Sequence, residues 1–191
     1  MLGRVVVAAP GHLASGARVG RYEIDGSLGT GPRASVYRAR DLDSGKLVAL
    51  KRPSVPGDVA RWEIEARLLA ELDHPGVAAL RDHFEEPAGV YNIVMRLVEG
   101  TDLARLLWDR GTPGLPVVHV LGWLREACES LQYLHDQQIV HGDVKPRNIV
   151  RGPELCRHQD VVRVDQVGAG ELRAVDHVGP AAKPLAGRQA V

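Results

Sequence analysis

The chain contains little cysteine, no excess of either charge and no long apolar segment. Its two cysteines, Cys128 and Cys156, are too few for a disulfide framework, so a reducing, cytoplasmic location is expected. The 24 basic and 24 acidic residues cancel, which excludes net charge as a means of attracting nucleic acid or an anionic membrane. No apolar run reaches the roughly 18 residues of a transmembrane helix. From the balanced charge and the absence of such a run, we expect neither a nucleic-acid nor a membrane partner.

The apolar content is nevertheless sufficient for a hydrophobic core. Hydrophobic residues make up 45% of the 191 positions, which suits one domain or a small two-lobed one. Residues 1–20 show no periodicity and are predicted to form a flexible leader, whereas residues 177–191 are predicted to be a disordered tail. Between them we place a first lobe at residues 21–98 and a partial second lobe at residues 99–176.

The first lobe carries short apolar stretches separated by turn residues, a pattern typical of antiparallel strands. A helix is predicted after Asp58, which can cap it, and it ends at His74-Pro75-Gly76. The predicted strands are Tyr22–Ile24, Ser35–Ala39, Leu47–Leu50, Val77–Leu80 and Tyr91–Val98. The expected fold class is therefore α+β, with a five-stranded antiparallel sheet and one helix in this lobe.

The second lobe is predicted to be mainly helical. Glu99-Gly100-Thr101 interrupts the strand pattern and is interpreted as a hinge, after which Asp102 begins a short helix. A longer helix carries an apolar stripe at spacings of three and four residues, formed by Val118, Leu121, Leu124, Cys128, Leu131 and Leu134. Such a stripe is expected to pack in the core.

The segment from His141 to Asn148 combines an acid, a base and an amide. Asp143 could orient a hydroxyl group, Lys145 could neutralise a phosphate, and Asn148 could hold Mg²⁺. These three residue types at this spacing would rarely occur together by chance, so they are a specific indication of phosphoryl transfer. The segment is therefore interpreted as the catalytic loop of a phosphotransferase.

Two further elements earlier in the chain fit the same chemistry. A Gly-rich turn lies between the first two predicted strands, where Gly29 and Gly31 would let backbone amides approach phosphates. Lys51 ends the next apolar strand as a single cation, and Glu65 on the predicted helix could hold it toward the α- and β-phosphates. Glu63 is the competing carboxylate.

In their order and spacing, these motifs resemble the eukaryotic-type serine/threonine protein kinase domain, which includes the bacterial Hanks-type kinases. The similarity covers roughly residues 21–165 and rests on Gly29-x-Gly31, Val48-Ala49-Leu50-Lys51, Glu65, His74-Pro75, Glu99-Gly100 with Asp102, and Asp143-x-Lys145-x-x-Asn148. The resemblance implies a two-lobed kinase-like fold. It also implies transfer of the γ-phosphoryl group of ATP, with Mg²⁺, to a Ser or Thr hydroxyl of a protein substrate.

The resemblance assigns a catalytic role to each matching residue. Lys51 and Glu65 would form an ion pair, and Asp143 would accept or orient the proton of the substrate hydroxyl. Lys145 would stabilise the γ-phosphate, and Asn148 would hold one Mg²⁺. Lys145 is also the residue that resembles Ser/Thr rather than Tyr kinases.

The resemblance likewise implies an ATP site. Met95 would be the gatekeeper, Arg96 and Val98 would present the hinge backbone to adenine, and Asp102 would contact the ribose. The complete set of implied ATP-binding residues is Leu28, Gly29, Gly31, Val36, Ala49, Lys51, Met95, Arg96, Val98, Asp102 and Val150.

A second metal-binding carboxylate has two candidates. Asp165-Gln166-Val167-Gly168 and Asp176-His177-Val178-Gly179 each carry one residue more before the Gly than the family's Asp-Phe-Gly. Asp165 is favoured, because the longer excursion to Asp176 requires additional loop closure.

Departures from the family pattern keep other functions open. Pro32 removes a backbone N–H at the tip of the Gly-rich turn, so we expect weaker phosphate binding. Gly142 replaces the Arg of many family members, which argues against control by activation-loop phosphorylation. The same Gly keeps a small-molecule, aminoglycoside-type phosphotransferase as an alternative.

The family's activation segment and substrate-binding helices have no counterpart in the C-terminal residues. We therefore expect a C-terminally truncated kinase domain with little or no transfer activity, or a nucleotide-binding pseudokinase or interaction fragment. Part of the apolar stripe between Val118 and Leu134 would then be exposed, which predicts a partner chain or self-association through this helix.

Overall fold

The computed structural model describes residues 12–110 and 114–152, together with the backbone of two short strands at Val162–Val164 and Arg173–Ala174. The predicted metal ligand Asp165, its alternative Asp176 and the predicted tail at residues 177–191 lie outside the described residues. Among the helices in the described part, none combines the length and apolar character needed to span a bilayer.

A six-stranded antiparallel sheet forms the first lobe. Its strands are β1 (Arg18–Val19), β2 (Tyr22–Thr30), β3 (Ala34–Asp41), β4 (Leu47–Pro53), β5 (Leu80–Glu86) and β6 (Val90–Arg96), in the spatial order β1-β2-β3-β4-β6-β5. The predicted number of five strands is one too few, because Arg18–Val19 folds back and pairs with the start of β2. Leu13 and Val19 are buried, so part of the stretch assigned to the leader joins the fold.

The alternation of side chains along the strands gives this sheet two buried faces. Val36 and Ile93 belong to one apolar cluster, whereas their neighbours Tyr37 and Val94 belong to a second. Successive residues of a strand point to opposite faces, so one sheet supplies both clusters. The first cluster includes residues of the helix that follows β4, and it is this face that carries the candidate site.

Helix α1 (Val59–Ala70) packs against this face of the sheet. The side chain of Asp58 accepts a hydrogen bond from the amide of Arg61, which is the predicted N-cap interaction. The strand predicted at Val77–Leu80 begins only at Leu80, because a turn closed by the amide of Val77 and the carbonyl of His74 comes first.

The second lobe contains β7 (Thr101–Asp102), α2 (Leu103–Arg110), α3 (Val117–Asp136), β8 (Ile139–Val140), a 3₁₀ turn at Pro146–Asn148 and β9 (Ile149–Arg151). β10 (Val162–Val164) pairs with β9, and β11 (Arg173–Ala174) pairs with β8. Gly100 has φ 148°, and a Cβ atom there would lie 2.0 Å from the carbonyl oxygen of Arg151. Only glycine permits this close approach between the hinge and β9.

Helix α3 buries only part of the predicted apolar stripe, in agreement with the expectation that part of this stripe is exposed. Its buried residues are Trp123, Ala127, Ser130 and Leu134. Of the predicted stripe, Val118, Leu121, Leu124 and Cys128 are exposed, whereas Leu131 and Leu134 pack inward. The buried face also includes Trp123, Ala127 and Ser130, which the predicted stripe omitted.

The two lobes meet where the turn after α1 contacts α3. The hydroxyl of Tyr133 accepts a hydrogen bond from the amide of Asp73 at 2.9 Å, and the ring of Tyr133 stacks on His74. Gly76 lies against Ser130, where an added Cβ atom would come within 1.9 Å of Oγ. These contacts fix the start of β5 on the helix that leads to the catalytic loop.

Candidate active site

A buried ion pair joins the sheet to helix α1. Nζ of Lys51 on β4 lies 2.6 Å from Oε1 of Glu65, and the two side chains are only 1% and 5% exposed. Glu63, the competing carboxylate, instead forms an exposed ion pair with Arg67. Each side chain of such a buried pair is held by the other, because separating them would leave two uncompensated charges inside the protein.

The catalytic-loop residues converge on one carboxylate. Nζ of Lys145 lies 2.6 Å from Oδ2 of Asp143, and Nδ2 of Asn148 donates to the same oxygen at 3.0 Å. Nδ2 of Asn148 also donates to the backbone carbonyl of Asp143 at 2.7 Å. The amide of Asp143 in turn donates to Nδ1 of His141 at 3.2 Å. The loop therefore holds its acid, base and amide within one hydrogen-bonded group.

This environment controls the charge of Asp143. Partial burial acts to raise the pKa of the carboxyl, but hydrogen bonds from Lys145 and Asn148 act in the opposite direction and prevail. The pKa of Asp143 is therefore lowered from its ordinary value of 3.8. At neutral pH the group is an anion that accepts hydrogen bonds, which suits orienting a hydroxyl group.

A cleft of about 680 Å³ lies between the two lobes and gathers residues from both. Its upper wall is the Gly-rich turn, and its lower wall comes from α2 and the catalytic loop. Six predicted site residues line it, namely Leu28, Gly29, Gly31, Asp102, Lys145 and Asn148. Asp102 also caps α2, because its Oδ1 accepts a hydrogen bond from the amide of Arg105 at 2.9 Å.

The residues predicted to surround adenine lie deeper. Val36, Ala49 and Met95 belong to the first-lobe core, Val98 packs against it, and Val150 is buried. Arg96 pairs with Val48 in the sheet, and its amide donates to the carbonyl of Ala79 at 2.8 Å. That amide is therefore engaged within the protein, and any adenine contact from Arg96 would use its carbonyl.

The tip of the Gly-rich turn is tied to the end of β4. The hydroxyl of Ser54 donates to the carbonyl of Gly31 at 2.8 Å, and the amide of Ser54 donates to the carbonyl of Arg33. Pro32 lies between these two anchored residues and lines the cleft without an N–H group. These hydrogen bonds hold the turn over the cleft. Because Pro32 has no N–H group, the turn can donate one hydrogen bond fewer to an anion than a turn without proline.

The donor groups present suit Mg²⁺ in part. The amide nitrogen of Asn148 is engaged by Asp143, so the atom that this side chain could offer a cation is its carbonyl oxygen. Oxygen atoms are the ligands that Mg²⁺ takes. The second predicted ligand, Asp165, lies outside the described residues.

Several residues at the site were not found from the sequence. Arg105, Trp108 and Arg147 line the cleft, and Trp108 is 83% exposed. Trp62 places its ring 5.4 Å from Nζ of Lys51. A signal was available for Trp62, because it lies one helical turn before Glu65.

The sequence matches the protein kinase domain family over residues 22–164, which is most of the chain and includes both lobes. The chain belongs to the protein kinase family. This kinase chain is 31% identical over 164 residues to calcium/calmodulin-dependent protein kinase type 1B of Rattus norvegicus, an alignment that covers 84% of this chain and 46% of the relative. It is 36% identical over 143 residues to the serine/threonine-protein kinase PknF of Mycobacterium tuberculosis, covering 72% of this chain and 30% of PknF.

Solved structures agree with this assignment. The kinase domain of Mycobacterium tuberculosis PknI, in the form of a double mutant, superposes with a TM-score of 0.69 at 27% identity, covering 83% of this chain and 62% of that one. The predicted α+β, kinase-like fold is thus confirmed. The kinase chain spans about half or less of the length of the curated relatives described above.

Proposed function

We propose that this chain binds Mg-ATP in the cleft between its lobes and transfers the γ-phosphoryl group to a Ser or Thr hydroxyl of a protein. The observation that carries the proposal is the convergence of Lys145 and Asn148 on Oδ2 of Asp143, within the loop that borders the cleft. Phosphoryl transfer depends mainly on positioning the reactants and neutralising the phosphate charge. Asp143, Lys145 and Asn148 together would supply both.

The proposed division of labour follows from position and charge. Lys51, fixed by Glu65, would neutralise the α- and β-phosphates, whereas Lys145 would act on the γ-phosphate and Asp143 on the attacking hydroxyl. Leu28, Val36, Ala49 and Val150 would contact the faces of the adenine ring. Met95, Arg96 and Val98 would form its edge, and Asp102 would bind the ribose.

We propose Asn148 and Asp165 as the residues that would hold Mg²⁺. When bound, the cation neutralises developing phosphate charge. The residues of the chain would perform the other steps. The backbone of Gly29 and Gly31 would bind the phosphates, and the lowered pKa of Asp143 keeps its carboxylate ionised so that it can orient the hydroxyl.

A transfer assay tests this proposal. The chain is incubated with radiolabelled ATP and Mg²⁺, first with a mixture of Ser/Thr-containing proteins and then with small alcohols that include an aminoglycoside. Label on protein that Asp143→Asn abolishes would support the proposal, and it would contradict the expectation of little or no transfer activity that the sequence departures suggest. Label on the small alcohol alone would contradict the protein substrate and select the aminoglycoside-type alternative.

A second candidate, a nucleotide-binding protein without transfer activity, is favoured by Pro32, which leaves the Gly-rich turn one amide short. Binding of Mg-ATP in a chain that transfers no label would support this candidate. The proposed cytoplasmic location is compatible with either function.

We also propose that the exposed apolar face of α3 supports self-association or contact with a partner chain. Val118 and Leu121 on this face are 74% and 61% exposed. Sedimentation velocity would show a concentration-dependent increase in mass that Leu121→Lys reduces. An identical sedimentation profile for both proteins would contradict self-association through α3.

A further inference from the structure

We propose that Trp62 is a positioning residue that holds the ammonium group of Lys51 in place through a cation–π contact; the inference rests on the proposed nucleotide site. Nζ of Lys51 lies 5.4 Å from the centroid of the Trp62 ring. Attraction between an ammonium group and an indole ring is effective within about 6 Å of the centroid.

Helix α1 supplies both partners of this lysine. Trp62 and Glu65 are three residues apart, so they lie on the same side of the helix, and both are buried. The ammonium of Lys51 therefore meets a carboxylate and an aromatic ring that move together as parts of one rigid element. A lysine side chain is flexible and its charge is compact, so a second fixed contact restricts where that charge lies.

Burial makes the contact stronger than it would be on the surface. Lys51 is 1% exposed and Trp62 is 9% exposed, so neither group is fully solvated. A cation–π contact gains strength when it is desolvated. All three side chains also border a cavity of about 350 Å³, so a smaller residue at position 62 would open the ion pair to water from this side.

The test compares Trp62→Leu and Trp62→Phe with the unmodified chain and with the matched control Trp123→Leu. Trp123 is also buried and contacts a cation, Arg151, but it belongs to a separate apolar cluster in the second lobe. Dissociation constants are measured by calorimetry for Mg-ATP and for adenosine, below the unfolding temperature of every variant. Adenosine lacks the phosphates that Lys51 would contact.

Trp62→Leu should weaken Mg-ATP binding about tenfold while changing adenosine binding less than about twofold, and Trp62→Phe should fall between the Leu variant and the unmodified chain. Trp123→Leu should leave the ratio of the two affinities unchanged. Equal losses for Mg-ATP and adenosine in Trp62→Leu, or equal effects of Phe and Leu, would assign Trp62 to packing alone and overturn the inference.

A measurement without nucleotide separates this inference from the proposed function. In a chain with ¹³C-labelled lysine, ring currents of Trp62 should shift the side-chain protons of Lys51, assigned by their loss in Lys51→Arg. Trp62→Leu should abolish that shift, and Trp123→Leu should retain it. A Lys51 signal that is the same with and without Trp62 would overturn the inference, whatever the chain binds. A shifted signal in a chain that binds no nucleotide would contradict only the proposed function.

Discussion

Nζ of Lys51 and Oε1 of Glu65 lie 2.6 Å apart inside the first lobe, and they link strand β4 to helix α1. Their contact holds α1 against the sheet, because the two residues are 14 positions apart in the chain and belong to different elements. Charge in a buried pair is tolerated only while both partners are present.

Replacing one partner of this pair should therefore destabilise the fold more than replacing both. Lys51→Met leaves the Glu65 carboxylate unpaired and is expected to lower the free energy of unfolding by about 3 kcal/mol. Lys51→Met combined with Glu65→Leu should recover most of that loss, because no buried charge remains. Urea denaturation measures both variants. A double variant less stable than Lys51→Met would contradict this account.

The contact between Gly76 and Ser130 predicts a second stability effect. A methyl group at Gly76 would lie 1.9 Å from Oγ and 3.1 Å from Cβ of Ser130, so Gly76→Ala must either rotate the Ser130 hydroxyl away from the Glu126 carbonyl or displace the turn from α3. We expect a loss of about 2 kcal/mol, measured by urea denaturation. Adding Ser130→Ala, which removes the nearer atom, should restore part of it.

Gly26→Ala is the matched control, because nothing lies within 4 Å of a Cβ atom at Gly26. That variant should differ from the unmodified chain by less than about 1 kcal/mol. Comparable losses for the two glycines would mean that packing against Ser130 is not the cause.

Pro32 should limit the affinity for phosphate. Pro32→Ala restores an N–H group at the tip of the Gly-rich turn, and a gained hydrogen bond of ordinary strength corresponds to about threefold tighter Mg-ATP binding. Adenosine affinity should not change, because the gain concerns phosphate. Pro116→Ala, at the start of α3, is the control for general effects of losing a proline. Tighter binding of both ligands would argue against a phosphate contact.

The lowered pKa of Asp143 predicts how its contribution to stability depends on pH. A carboxyl whose pKa is lower in the folded chain stabilises the fold fully above its ordinary value of 3.8, and this contribution disappears as pH falls through the lowered folded value. The stability difference between the unmodified chain and Asp143→Asn should be constant from pH 7 down to about 5 and should shrink in more acidic solution. Chemical denaturation across this range measures the difference. A difference that grows on acidification would have the wrong sign.

Local patterns account for what the sequence predicted well. The catalytic loop is one continuous segment, so its spacing alone brings Asp143, Lys145 and Asn148 together. The preference for Glu65 over Glu63 also agrees with the pairing in the structure, because positions two apart lie on different sides of a helix.

Features that depend on tertiary contacts were missed. Strand β1 is two residues long, too short for any periodicity, and exists because it pairs with β2. The buried face of α3 includes Ser130, whose hydroxyl donates to the carbonyl of Glu126 and whose small side chain leaves room for Gly76 of the other lobe. The position of Trp62 beside Lys51 follows from packing α1 against the sheet, which no single segment encodes.

Calorimetric titration of the unmodified chain with ATP, in the presence of Mg²⁺ and again with the metal chelated, tests the central claim most directly. The account predicts saturable binding with one nucleotide per chain. Chelation of the metal should weaken this binding, and Asn148→Ala should weaken it further. Absence of binding at millimolar Mg-ATP, or binding that neither chelation nor Asn148→Ala affects, would contradict it.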